Sequence, residues 1–265
     1  MAIPRVLVLK EHGTNCEEGS KYAFEKAGAR ADIVHMNDLL ANPKLMGDYQ
    51  IMMFSGGFSH GDDTGSGLAW ANRMRRVMDE VQDFVLDDKL VLGVCNGFQT
   101  LVNMGLLPAI NERYGEAQAA LLHNDSARYD CRWVDLSLSD KSPWTKGIGR
   151  ISLPIAHGEG KFYAPPEIMG EIKRKGLDVA KYVPGEISRS QGLDYNPNGS
   201  LEDIAGICDV SGRVFGLMPH PERAIDFTQR PDWTLLKEGY RREGKEVPRE
   251  GEGMKIFKNG VKYFN

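Results

Sequence analysis

No stretch of these 265 residues approaches the roughly 18–20 consecutive apolar positions that cross a bilayer, and Met-Ala-Ile-Pro-Arg at the start lacks the form of a secretory n-region. Positive charge is not in excess either. Lysine and arginine number 33 against 37 aspartates and glutamates, so the net charge of −4 offers no basic patch for nucleic acid and no polybasic surface for membranes. Cysteine is scarce, and the four residues, at positions 16, 95, 131 and 208, form no CxxC pair. That spacing indicates neither a zinc site nor a disulfide framework, so no metal is expected and a reducing, cytoplasmic setting fits. Without a signal peptide, the glycosylation patterns at Asn124 and Asn198 carry no weight. Repeats and low-complexity linkers are missing too, which leaves a single domain over residues 1–265 as the expectation.

What is present is an alternation of strands and helices. Arg5 to Leu9 is a short continuous apolar run of the kind buried on both faces of a parallel sheet, and Cys16 to Gly28 reads as a helix stopped by glycine. Strands follow at Ala31–His35 and Tyr49–Phe54, then an amphipathic segment from Leu68 to Leu86 that turns Ala69, Met74, Val77, Met78, Val81 and Val85 inward. This rhythm predicts an α/β fold, an open and mostly parallel sheet flanked by helices. After Pro108 the pattern alternates, over Arg132–Leu138 and part of Arg150–Ile155, which implies added antiparallel strands. Ile204–Cys208 and Val214–Met218 read as a hairpin through Ser211-Gly212. Residues 227–253 are dense in charge and poor in apolar pattern, and read as a surface excursion before Phe257 and Tyr263-Phe264 bring the end back to the body.

Two stretches carry chemistry. In Lys89–Gln99 an apolar strand ends at Val94-Cys95, Asn96-Gly97 breaks the pattern, and Phe98, Leu101, Val102 and Leu106 resume it at helical spacing. A cysteine at such a strand–turn–helix elbow is pushed out of the sheet's end, beside the N–H groups of the helix start, which favour a thiolate. In Val214–Arg223 a second strand runs to His220, with Glu222 two residues on. In an extended segment held off helix by Pro219 and Pro221, that carboxylate can orient the imidazole. Cys95, His220 and Glu222 are the parts of a thiol acyl-transfer triad.

Gly93-Val-Cys95-Asn-Gly97-Phe-Gln99 and Pro219-His220-Pro-Glu222-Arg resemble the triad motifs of class I glutamine amidotransferases, whose fold is flavodoxin-like. The Asn-Gly-Phe variant resembles one branch, the glutaminase subunits of phosphoribosylformylglycinamidine synthases. Gly13-Thr-Asn-Cys-Glu, Phe54-Ser-Gly-Gly-Phe-Ser-His-Gly-Asp-Asp, Pro154-Ile-Ala-His-Gly-Glu-Gly and Asn196-Pro-Asn-Gly-Ser match that branch as well. The resemblance implies that Cys95 attacks the side-chain amide of L-glutamine while His220 moves the proton and Glu222 fixes the ring. It implies an oxyanion held by the N–H of Asn96 and by a second donor, Gly57 or Phe58, with Gln99 helping to hold the substrate. His123, Asn124 and Ser126 are further candidates for gripping glutamine, while His157-Gly-Glu159-Gly160 lacks a third ligand at suitable spacing and reads as a structured loop.

A nucleotide site is missing. No G-x-G-x-x-G occurs, and Gly239-Tyr-Arg-Arg-Glu-Gly244-Lys245 ends in Glu246 where a P-loop needs Ser or Thr. ATP and Mg²⁺ therefore belong to a partner, which the resemblance supplies as a large synthetase subunit, often with a small third subunit. Phe58, His60 and Asp62-Asp63 are the expected part of its docking surface. An amidotransferase of the same class serving another acceptor is the alternative. A non-enzymatic scaffold protein would have no need for His220 and Glu222 together.

Overall fold

The parallel strands form where the sequence concentrates β-branched and apolar residues in runs too short for helices. In a computed structural model, which describes residues 3–265, they are β1 (Arg5–Lys10), β2 (Arg30–His35), β3 (Ile51–Phe54) and β4 (Leu90–Val94). Met1 and Ala2 of the opening pentapeptide lie outside the described residues. Between these strands run α1 (Glu17–Lys26), α2 (Met36–Ala41), α3 (Leu68–Met74) and α4 (Met78–Leu86), and α5 (Asn96–Asn103) follows β4 directly. The second half adds β5 (Ala120–His123), β6 (Asp130–Leu138), β7 (Arg150–His157), β8 (Glu159–Tyr163), α6 (Pro166–Lys175), β9 (Ala180–Tyr182) and α7 (Glu186–Gln191). It closes with β10 (Ile204–Cys208), β11 (Val214–Leu217), α8 (Trp233–Arg242) and α9 (Met254–Lys262).

Nine strands make one sheet in the order β2-β1-β3-β4-β11-β10-β9-β6-β7, with β5 and β8 as a separate antiparallel pair. The first five are parallel, and the β10–β11 hairpin begins the antiparallel half, as the alternating patterns predict. Such sheets bind ligands beyond the carboxyl ends of their strands. The loops after β3, β4 and β11 all leave from that edge, and these are the loops that carry the expected site residues.

Tight backbone contacts fix α5 on the sheet. A Cβ on Gly97 would overlap the carbonyl oxygen of Phe54, and one on Gly216 would overlap the ring of Phe98. The helix thus approaches β3 and β11 as closely as backbone allows, which sets where its first residue stands.

Two expectations change. The segment 68–86 is not one helix: a 3-10 turn over Arg75–Val77 separates α3 from α4. The buried stripe keeps its helical period across the break, through Trp70, Met74, Val77, Val81 and Phe84-Val85, with Ala71 also buried and Ala69 only half-buried. The excursion at 227–253 contains α8, which buries none of its residues, while Phe227 packs inward and an Asp226–Glu250 bridge pins the segment's two ends together. No described helix is long and apolar enough to cross a membrane.

Candidate active site

Cys95 sits between β4 and α5 with φ 51° and ψ −109°, a conformation that a non-glycine residue adopts at a cost of about 1–3 kcal/mol. The surroundings hold it there: its N–H donates to Leu217 O at 2.8 Å, and its carbonyl accepts from Gln99 N at 3.0 Å. Only 5% of the residue is exposed, with Sγ 3.8 Å from Ala156 O. The next N–H, that of Asn96, opens the first turn of α5, where a helix has no internal carbonyl to offer it.

His220 follows β11 in extended conformation, its N–H anchored to Pro154 O at 2.8 Å. Glu222 reaches it differently from the extended pairing that the two prolines imply. Pro221–Arg223 forms a 3-10 turn, which brings Glu222 Oε1 to 2.5 Å from His220 Nδ1. Both side chains are buried, and His220 Nε2 and Glu222 Oε2 have no hydrogen-bond partner among the described residues. Burial works against a charged imidazole, but the Glu222 carboxylate and the Cys95 and Cys16 sulfurs outweigh it and hold His220 well above its ordinary pKa. Burial likewise disfavours the Glu222 carboxylate, yet the charge of His220, then its hydrogen bond and Arg223, keep Glu222 below the usual range. The carboxylate thus makes the ring a stronger base and holds a proton at Nδ1, while Nε2 has no hydrogen-bond partner among the described residues.

The loop after β3 crosses this pair. Gly56 lies so close that a Cβ would stand 2.9 Å from His220 Cε1. Gly57 has φ +146°, a region closed to other residues, and pairs as an isolated bridge with Thr14. The N–H of Phe58 donates to Gly13 O at 2.9 Å and is committed to the fold, which removes Phe58 as an oxyanion donor. The N–H of Gly57 makes no hydrogen bond among the described residues and, unlike that of Phe58, is open as a donor.

Other expected residues are placed less directly. Gln99 is 4% exposed, its Oε1 accepting from Asn96 Nδ2 at 3.1 Å and its Nε2 donating to Glu159 O at 2.5 Å. Both ends of the Gln99 side chain are thus engaged within the protein, bracing α5 against the start of β8. Asn96 ties the same helix to the β3 loop, accepting from Ser59 N at 3.1 Å and donating to Asp62 Oδ1 at 3.0 Å. Asp62 is therefore turned inward, and burial raises its pKa against those hydrogen bonds. Asn124 is buried, donating to Arg128 O at 3.0 Å and to His157 O at 2.9 Å, so it is a structural amide. Ser126 is exposed and accepts from Arg128 N. His123 is also exposed, its Nδ1 3.7 Å from Glu159 Oε1 on the rim of a hollow of about 540 Å³ that Phe58, Asp62 and Tyr129 also line. The structure brings together Cys95, His220, Glu222, Asn96 and Gly57, and leaves His123, Asn124 and Ser126 out of that group.

One residue of this neighbourhood lies in a recognised motif, Gly13-Thr-Asn-Cys-Glu, but the motif assigns it no role. Cys16 stands at the start of α1 with Sγ 4.0 Å from His220 Nδ1 and 3.0 Å from Arg223 Nη2. Its partners lie 204 and 207 positions away, and local pattern gives no sign of them.

The family model for CobB/CobQ-like glutamine amidotransferase domains matches residues 3–264. The chain is 48% identical over 267 residues to a Methanococcus maripaludis protein named phosphoribosylformylglycinamidine synthase subunit PurQ, covering 99% of this chain and 98% of that one. A Dehalococcoides mccartyi protein of the same name is 41% identical over 266 residues, at 99% and 98% coverage. Among solved structures, a chain of PurLQS from Thermotoga maritima superposes with a TM-score of 0.73 at 31% identity, all of each chain being covered. A glutamine amidotransferase from the same organism, at 15% identity, TM-score 0.53 and coverage of 98% and 97%, shares the fold. A strained cysteine at the elbow, a buried His–Glu pair and whole-length identity of this order agree: the chain belongs to the CobB/CobQ-like glutamine amidotransferases, in the family of phosphoribosylformylglycinamidine synthase PurQ subunits.

Proposed function

We propose that this chain is the glutaminase subunit of a phosphoribosylformylglycinamidine synthase, releasing ammonia from L-glutamine through Cys95, His220 and Glu222. The observation that carries the reading is the buried His220–Glu222 pair, 2.5 Å apart, with a free Nε2 beside the strained Cys95. Cys95 Sγ attacks the amide carbon as His220 Nε2 takes up the thiol proton, and the carbonyl oxygen becomes an oxyanion between the N–H groups of Asn96 and Gly57. His220 returns the proton to the departing nitrogen, the C–N bond breaks, and ammonia leaves a γ-glutamyl thioester on Cys95. Water, losing its proton to the same imidazole, then cleaves the thioester to glutamate. Glu222 keeps Nδ1 protonated throughout and stabilises the charged ring.

Ammonia passes to a large synthetase subunit, which uses ATP and Mg²⁺ to convert formylglycinamide ribonucleotide to formylglycinamidine ribonucleotide in purine biosynthesis, with a small third subunit in the complex. The names of the relatives and the PurLQS structure support this partnership. The test is ammonia release from glutamine by the purified chain, alone and with the synthetase, ATP and the formyl substrate. Activity that rises with the partner, and falls by about 10⁴-fold or more in Cys95→Ala, is the expected result. A Cys95→Ala chain that stays active sinks the mechanism, and a partner without effect sinks the pathway.

A further inference from the structure

The reaction uses one thiol, yet two lie against the same imidazole. Cys16 Sγ, His220 Nδ1 and a Glu222 carboxylate oxygen all fall within 4.8 Å of one another, and all three side chains are buried. Glu222 Oε2 has no hydrogen-bond partner among the described residues, although the residue is only 4% exposed. Sulfur, imidazole nitrogen and carboxylate oxygen are the donor set of zinc and other thiophilic divalent ions. The 4.0 Å between Cys16 Sγ and His220 Nδ1 is a separation that an ion at about 2.3 Å from sulfur and about 2.0 Å from nitrogen bridges. Cysteine spacing in the chain gives no hint of such a set, because the fold assembles it from the start of α1 and the turn after β11.

We propose that Cys16, His220 and Glu222 form an inhibitory site for a thiophilic divalent cation such as Zn²⁺, whose occupation switches the glutaminase off. The inhibitory part rests on the function proposed above; the binding part does not. The ion takes electron pairs from Cys16 Sγ, His220 Nδ1 and Glu222, and the thiol proton and the Nδ1 proton leave to solvent. Two anionic ligands then balance its charge. The ring is left protonated at Nε2, so it has no lone pair with which to take the proton of Cys95, and Glu222 no longer orients it. In the metal-free protein Arg223 Nη2 donates to Cys16 Sγ at 3.0 Å, and the thiol donates to Asn15 Oδ1 at 3.1 Å. The Arg223 side chain is 42% exposed, so it can swing into solvent and leave the position to the ion.

Equilibrium dialysis with Zn²⁺ and absorption spectra with Co²⁺ test this on the full chain. One ion per chain and a near-ultraviolet sulfur-to-cobalt band are expected, and both should persist in Cys95→Ser. In Cys16→Ser the band should vanish and affinity fall by more than about 10-fold, the loss typical even of an outer-shell partner. Arg223→Gln should bind the ion more tightly, a gain that a misfolded variant does not give. Zn²⁺ should inhibit ammonia release in wild type at concentrations that leave Cys16→Ser, measured against its own uninhibited rate, unaffected. No stoichiometric binding, or a band that survives Cys16→Ser and disappears in Cys95→Ser, overturns the site. Binding through Cys16 without loss of ammonia release overturns only the inhibition.

Discussion

His220 and His157 end neighbouring stretches of the same sheet edge, both buried, and their environments drive them to opposite states. His157 has only a neutral partner. The amide nitrogen of Asn124 is committed to two carbonyl oxygens, so its Oδ1 faces His157 Nδ1 at 3.1 Å and accepts from it. Burial, with nearby His220 and Arg132 charges adding to it, pushes His157 down to about 3. His220 meets the same desolvation cost but has a carboxylate at 2.5 Å, which favours its charged form and raises its pKa. Burial alone thus makes an imidazole a neutral strut; burial with an ionised partner makes it a proton carrier.

The strongest way to break the contrast is Glu222→Gln, which gives His220 the kind of partner His157 has. Its pKa should drop and kcat for ammonia release fall by about 10⁴-fold. Imidazole NMR titration alongside the assay checks both, and a ring that stays charged at neutral pH would refute the carboxylate as the cause. Gly56→Ala keeps the charges and moves the ring: a Cβ 2.9 Å from His220 Cε1 should cost about 100-fold in kcat with little loss of stability.

Stability against pH sharpens the same comparison. His157 has a folded pKa of about 3, below its ordinary value of 6.5, so its contribution is complete above 6.5 and is lost as pH falls. Between pH 6.5 and 5 that loss should be roughly 1.5 kcal/mol, and His157→Gln should remove it from denaturant curves. His220, raised in the fold, bends the curve the other way: its contribution is complete below 6.5 and is lost as pH rises through its folded pKa. The smallest effect is expected at the exposed His123, where replacement by Ala should change stability by less than about 0.5 kcal/mol in the same denaturation measurement.

The elbow was legible because its signals are local. The apolar run, the Asn96-Gly97 break and the helical period after it map onto β4 and α5, and the rhythm of the first hundred residues gives the parallel sheet. What the pattern could not carry is choice among donors. Gly57 and Phe58 are adjacent, and only the bond from Phe58 N to Gly13, 45 residues earlier, separates them. Gln99 looked free for substrate because its acceptor, Glu159 O, lies 60 positions on. The helix break at 75–77 left no mark for another reason: the buried positions Trp70, Met74, Val77, Val81 and Phe84 keep one helical period through the 3-10 turn, so the pattern reads as continuous. The small β5–β8 sheet and α7 left no distinctive pattern, being short and mostly polar on one side.

The glycine contacts beneath α5 bear on how such a gene can diverge. Where Gly97 meets the Phe54 carbonyl and Gly216 meets the ring of Phe98, there is no side-chain volume to exchange, so a replacement there shifts the elbow itself. The outer face of α8, which buries nothing, imposes no such constraint. Substitutions should therefore accumulate unevenly as lineages separate, slowly around the helix that carries the nucleophile and freely over the charged excursion.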